Sequence, residues 1–420
     1  MKSVRICILI LALLGVWILP VGCGGNSGST TTSATTTSAT PTQTIVTSGT
    51  NVQTITVNGG PPSVPDYPQP NTVFTSVTIC EHGSTSNCAT IDYVMVDTGS
   101  PGLRLLSSAL VGSSLSLQTE TANDGNQIGE CVQFSDTSYV WGPVKTVDVY
   151  LANGSEIAYS VPIHILGDST FSTIPSSCET GSNLEEDDLN SLGANGILGI
   201  GLSQYDCSVG GTNSCASGSE PPTAAYYECS ISGCTSAFVS LTQQVQNPVA
   251  MLSVQSGSTT ADNNGVIIEL PPVSVPMSSI TGSMVFGIGT QTNNALGSAT
   301  QFFLDSNGYI NTTFNSTVFS SYLDSGSNAY FFQDTIAQDS SGWYTPSSTL
   351  TLSAIIGNNT DVSFSVGNAD NMFNDYPNDA VLNTLAGYSN GYFAWGLPFF
   401  YGRNVYTSIT PQGNGTYFAF

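Results

Sequence analysis

Apolar and polar positions alternate along this chain over distances too short for helices. Runs of β-branched and aromatic residues at 72–79, 93–96, 144–151, 266–270, 302–304 and 350–356 are separated by clusters of Gly, Ser, Asn, Asp and Pro. That is the pattern of strands joined by turns. A helical period is rare, and 237–245 is its best candidate. The pattern predicts an all-β protein.

The N-terminus departs from it. Lys2 and Arg5 precede an apolar run at 6–19, followed by Leu19-Pro20-Val21-Gly22-Cys23. The run is short for a bilayer span, so it reads as a removable export signal. Its end resembles a bacterial lipobox, in which Cys23 is lipidated and becomes the new N-terminus. Gly24, rather than Asp, follows the cysteine, which favours the outer membrane. The expected location is therefore the bacterial cell envelope, lipid-anchored, with plain secretion as the alternative. Residues 24–70 are dominated by Ser, Thr, Gly, Asn and Pro and read as a flexible tether.

Composition narrows the function. The chain has 420 residues, with Lys+Arg 5 against Asp+Glu 29, a formal charge of −24. Loss of the signal would leave Arg104, Lys145 and Arg403 as the only Lys or Arg against 29 acids, a charge of −26. Nucleic acid is excluded as a partner, because neutralising phosphates takes clustered bases. Besides Cys7 and Cys23 there are eight cysteines: Cys80, Cys88, Cys131, Cys178, Cys207, Cys215, Cys229 and Cys234. An even number in an exported chain argues for disulfides. Cys80 and Cys88 bracket a turn and form the obvious local pair, while Cys207, Cys215, Cys229 and Cys234 staple one Gly/Ser-rich excursion. Zinc would require CxxC spacing with histidines nearby, so no metal and no cofactor are expected. His82 and His164 read as a turn residue and a strand residue.

One feature carries chemistry. Val94-Met95-Val96-Asp97-Thr98-Gly99-Ser100 has a counterpart in Ser321-Tyr322-Leu323-Asp324-Ser325-Gly326-Ser327. A strand-like run twice leads into Asp-(Thr/Ser)-Gly-Ser. Each Asp is followed by an apolar segment holding a glycine: Ile197-Leu198-Gly199-Ile200, its glycine 102 residues after Asp97, and Trp395-Gly396-Leu397, its glycine 72 after Asp324. A glycine inside a buried strand marks a place where another backbone comes close. The repeated order suggests two related halves, 71–248 and 249–420, each a β lobe, after a signal at 1–22 and a lipidated tether at 23–70.

With these motifs the sequence resembles the pepsin-like aspartic peptidases, over most of the body from about residue 71 to 420, and also an uncharacterised group of bacterial exported lipoproteins. The resemblance implies a bilobal pepsin-like acid protease fold, two β lobes with a cleft between them. It implies that Asp97 and Asp324 form a catalytic pair, that Thr98 and Ser325 lock the two loops together, and that Ser100 and Ser327 bond the outer carboxylate oxygens. Gly99 and Gly326 would allow close approach. A hairpin flap is expected at 131–142, with Phe134 where the family has tyrosine and Tyr139 as a second candidate for touching substrate. Arg104 reads as an ion-pair residue at the edge of the core, with a subsite role as the alternative.

The chemistry fits the residue types. Two carboxyls held together cannot both ionise, so they share one proton. The ionised partner can take a proton from water while the other donates to a scissile carbonyl. The expected function is an aspartic endopeptidase working at acidic pH on polypeptide substrates, tethered to the membrane through its lipid. The alternative is a catalytically inactive relative that binds a peptide or protein in its cleft.

Overall fold

The structure is a computed structural model that describes residues 43–64, 69–134, 136–179, 184–255, 257–357, 359–411, 413 and 415–420. The expected export signal and the expected lipidation site Cys23 lie outside these. The fold is all-β and bilobal.

Its base is an antiparallel layer shared by both lobes. Across it run the strands Val73–Glu81, Val52–Val57, Ile280–Phe286, Gly265–Leu270, Arg403–Ser408, Tyr417–Ala419 and Gln301–Phe303, each paired with the next. The strand Val52–Val57 corrects the expected tether. Val52 pairs with Val285 and Val57 with Ile280, and Ile55 and Val57 are fully buried. The Ser/Thr-rich composition hid a period-two alternation, in which Gln53, Ile55 and Val57 face inward. Composition reports the average environment of a segment, whereas alternation reports which face is buried.

Each lobe then repeats one motif. In the first, the strand Gly196–Ile200 runs parallel to Cys88–Asp97, with Gly199 opposite Asp97, and antiparallel to Pro101–Leu106. In the second, Tyr392–Trp395 runs parallel to Thr317–Leu323, with Trp395 opposite Leu323, and antiparallel to Tyr330–Phe332. In both, a late strand inserts between the two strands that flank an Asp loop. The glycines are there for lack of room. A Cβ on Gly199 would fall 2.6 Å from the Ser100 carbonyl oxygen, and one on Gly396 would fall 2.1 Å from that of Ala329.

The cores differ in character. The first lobe is aliphatic, with Val77, Ile79, Val94, Val96, Leu103, Leu105, Val149 and Ile163 all fully buried. The second is aromatic, with Phe332, Phe364, Phe393 and Trp395 in mutual ring contact. Among the described residues, four disulfides, Cys80–Cys88, Cys131–Cys178, Cys207–Cys215 and Cys229–Cys234, lie in the first lobe. The helix expected at 237–245 is absent. Only Leu241–Gln243 forms a 3-10 turn, because Gln244 is extended and its side chain donates to the Val239 carbonyl. The described α-helices are Leu189–Leu192, capped by Asp188, and Ala369–Asp375, capped by Asn368.

Candidate active site

Asp97 ends the strand Cys88–Asp97, and Asp324 directly follows Thr317–Leu323. Both side chains are fully buried. Within each loop the acid is bound by its own turn. Gly99 N–H donates to Asp97 Oδ1 at 2.7 Å and the Ser100 hydroxyl to Oδ2. Gly326 N–H donates to Asp324 Oδ1 at 2.8 Å and the Ser327 hydroxyl to Oδ2 at 2.5 Å. The two loops present the same atoms to their acids.

Across the junction the loops complete each other. Thr98 Oγ1 donates to the Leu323 carbonyl (3.1 Å) and accepts from Ser325 N–H (2.9 Å). Ser325 Oγ donates to the Val96 carbonyl (2.8 Å) and accepts from Thr98 N–H (3.1 Å). This interlock brings the carboxyls into hydrogen-bonding contact with one another. Gly326 permits the approach, since a Cβ there would lie 2.6 Å from Asp97 Oδ1 and 3.2 Å from Asp324 Oδ1. Gly99 mirrors it, its Cβ position being 2.7 Å from Asp324 Oδ1.

Electrostatics follow from that geometry. Burial pushes Asp97 well above the usual carboxyl range, the charge of Asp324 adds to this, and the Ser100 hydroxyl partly offsets it. Burial raises Asp324 too, while hydrogen bonds from Ser327 and Asp97 work against the rise. The two acids interact, so they share one proton and the pair titrates as a unit.

The floor on either side is set by strand alternation. Met95 shares a face of its strand with Asp97 and pairs with Ile197. Phe134 belongs to the same buried apolar cluster as Met95 and Ile197. It sits in the turn of the hairpin formed by Gln127–Gln133 and Ser138–Leu151, its N–H donating to the Ser138 carbonyl at 2.8 Å. The hairpin turn therefore shares a buried apolar cluster with Met95, two residues before Asp97. Tyr139 does not join it. It packs with Cys131, Trp141, Phe171, Cys178 and Tyr227 on the other face of the hairpin, because it pairs with Gln133 while Val132 and Val140 take the face shared with Phe134. In the second lobe Tyr322 shares the Asp324 face and lies at a tilt against Tyr309, which meets Tyr392. Burial and the Asp324 charge push Tyr322 well above its ordinary value. Counting back two residues from each Asp locates Met95 and Tyr322 in the sequence.

Arg104 is 1% exposed, which places it in the core. Its guanidinium donates to the Pro101 carbonyl at 2.8 Å and to Glu130 Oε1 at 3.0 Å, and lies 3.5 Å from Asp206 Oδ2. Tyr226 donates to Asp206, and His164 Nδ1 lies 2.9 Å from Glu130 Oε2. Burial and the Arg104 charge hold His164 well below its ordinary value, so it is neutral. This buried cluster ties the turn after Asp97 to the hairpin strand Gln127–Gln133.

A family model described as "Protein of unknown function (DUF3443)" matches residues 47–420. The chain belongs to the DUF3443 family. No curated protein matches it. Among solved structures, this DUF3443 protein is similar to an aspartic proteinase from Irpex lacteus, with 15% identity and a TM-score of 0.46, over 88% of this chain and 96% of that one.

Proposed function

We propose that this DUF3443 protein is an aspartic endopeptidase in which Asp97 and Asp324 activate water for attack on a peptide bond at acidic pH. The observation that carries the reading is the pair of buried, mutually hydrogen-bonded carboxyls, each held by its own Gly N–H and Ser hydroxyl. With one proton between them, the ionised carboxyl takes a proton from water and the protonated one donates to the scissile carbonyl. No covalent intermediate is needed. Of the tyrosines near Asp324, Tyr392 is 40% exposed and offers aromatic contact to an extended substrate.

The purified protein is expected to cleave an unfolded polypeptide at acidic pH, and Asp97→Asn or Asp324→Asn each to abolish cleavage. Wild-type protein that leaves varied unfolded substrates intact from acidic to neutral pH overturns the proposal. A second reading, peptide binding without hydrolysis, draws on the burial of Phe134 in the apolar cluster that includes Met95. It expects saturable peptide binding that persists in Asp97→Asn with no cleavage by the wild type. Attachment to the cell envelope through lipid on Cys23 is part of the proposal, and loss of lipid labelling in Cys23→Ser tests it.

A further inference from the structure

The likeness between the two Asp loops extends past their serines. The Ser100 carbonyl accepts from Gly201 N–H at 3.0 Å and the Ser327 carbonyl from Leu397 N–H at 2.7 Å, each donor lying just beyond the strand inserted in its lobe. The next carbonyl in each loop is taken by a side chain. Arg104, in the same lobe, donates to the Pro101 carbonyl at 2.8 Å. For the Asn328 carbonyl the donor is Asn71 Nδ2, also at 2.8 Å but 257 positions away in the chain. Asn71 stands two residues before the strand Val73–Glu81, which pairs with Cys88–Asp97. The Asp97 loop is thus set from within its own lobe, and the Asp324 loop from across the junction.

Asn71 is suited to that reach. It is fully buried and has φ 51°, in the left-handed region that asparagine enters more readily than most residues. Its amide is saturated. Nδ2 also donates to the Leu382 carbonyl at 2.8 Å, while Oδ1 accepts from Leu382 N–H and from the Tyr401 hydroxyl, both at 2.7 Å. Its own N–H donates to the Ala380 carbonyl at 2.6 Å. Every one of these partners belongs to the second lobe. Together they leave the amide a single orientation, and burial keeps solvent from substituting for it.

We propose that Asn71 is a positioning residue for Asp324, holding the Asn328 carbonyl from the first lobe and with it the aim of the Ser327 hydroxyl on the carboxyl. Two successive peptide planes are pinned, one by Leu397 N–H and the next by Asn71, and between these points Ser327 Oγ meets Asp324 Oδ2 at 2.5 Å. Releasing the second pin lets that hydroxyl drift from its acid while Asp97, whose loop is held through Arg104, keeps its place. Small misplacements of a reacting group lower turnover steeply. The kinetic consequence rests on the peptidase reading, whereas the ordering of the loop does not.

Amide hydrogen exchange and steady-state kinetics of the full chain test this together. Asn71→Gly keeps the left-handed backbone and removes the amide. Asn71→Asp keeps the shape and the acceptor for Leu382 and Tyr401 but loses the donation to Asn328, and it carries the comparison should the glycine variant not fold. Each should speed exchange at residues 325–328 at least about tenfold, the worth of one hydrogen bond, and leave residues 99–102 within about twofold of wild type. Val149→Ala, which loosens the first-lobe core instead, should not reproduce that contrast. On unfolded polypeptide at acidic pH, kcat of either Asn71 variant should fall at least about tenfold with KM within about twofold. Exchange that rises equally in both loops, or not at all at 325–328, overturns the proposal. So does an unchanged kcat beside an active wild type. A wild type without hydrolysis overturns the peptidase reading alone, and the exchange comparison then decides the role of Asn71.

Discussion

Thr98→Val isolates the interlock between the two Asp loops. The substitution keeps the shape of the side chain and removes only the hydroxyl. That hydroxyl satisfies two backbone groups of the opposite lobe, the Leu323 carbonyl and Ser325 N–H, in a place where Thr98 is 1% and Ser325 0% exposed. Water cannot replace the lost partner there without opening the junction. Leaving a buried polar group unsatisfied costs about 1–3 kcal/mol, so two should cost about 2–6 kcal/mol. That is a large part of the roughly 5–15 kcal/mol by which a domain is stable. Urea unfolding followed by tryptophan fluorescence is the assay, and Trp395, fully buried and paired with Leu323, reports on the junction. The midpoint should fall with the slope unchanged. Thr98→Ser keeps the hydroxyl and should lose less than about 1 kcal/mol. The reasoning fails if Thr98→Val costs less than about 0.5 kcal/mol, the level of an ordinary surface change, or if Thr98→Ser is equally damaging.

Three further outcomes are expected. Arg104→Met should destabilise by about 3–5 kcal/mol, because Glu130 and Asp206 stay buried without their cation, and adding Glu130→Gln should recover part of the loss in the same urea assay. Gly396→Ala should cost at least about 1–3 kcal/mol, since its Cβ would meet the Ala329 carbonyl oxygen at 2.1 Å, and a variant of wild-type melting temperature would refute the close approach. Stability should decline as pH rises from about 4 towards 8, because Glu156 is pushed by burial and then Asp262 up to about 8, and Glu185, by burial and then Asp187 and Glu179, up to about 7. Groups raised above their unfolded values stabilise the fold fully below the unfolded value and lose that contribution as pH passes the folded one. Glu156→Gln should flatten the decline in melting temperature, and a wild-type melting temperature that climbs steadily over this range contradicts the reasoning.

What the sequence disclosed depended on how local each interaction was. The Asp-(Thr/Ser)-Gly-Ser turns were legible because acid, N–H donor and hydroxyl sit within four consecutive residues. Cys80 and Cys88 were legible because only eight positions separate them. The Arg104 cluster was not, since its partners lie 26 and 102 residues away and nothing in the spacing of Glu130 or Asp206 announces them. Phe134 and Tyr139 could not be told apart as flap residues until pairing put them on opposite faces of the hairpin. The strand at Val52–Val57 was overlooked because polar outward positions outweighed three inward ones in the composition. The Glu156 and Asp262 pair joins residues 106 positions apart and leaves no trace in either neighbourhood.

The placement of Val52–Val57 sets a clock on synthesis. Its first contacts are with Phe74 and Val73, but its long edge pairs with Ile280–Phe286, and Val57 must wait for Ile280. That gap of 223 residues takes about 11–45 seconds at ribosomal speeds of about 5–20 residues per second. Throughout that interval the strand has an unpaired edge able to accept any other extended chain. The first lobe made is thus held open for the last, and chaperone protection has to cover the wait.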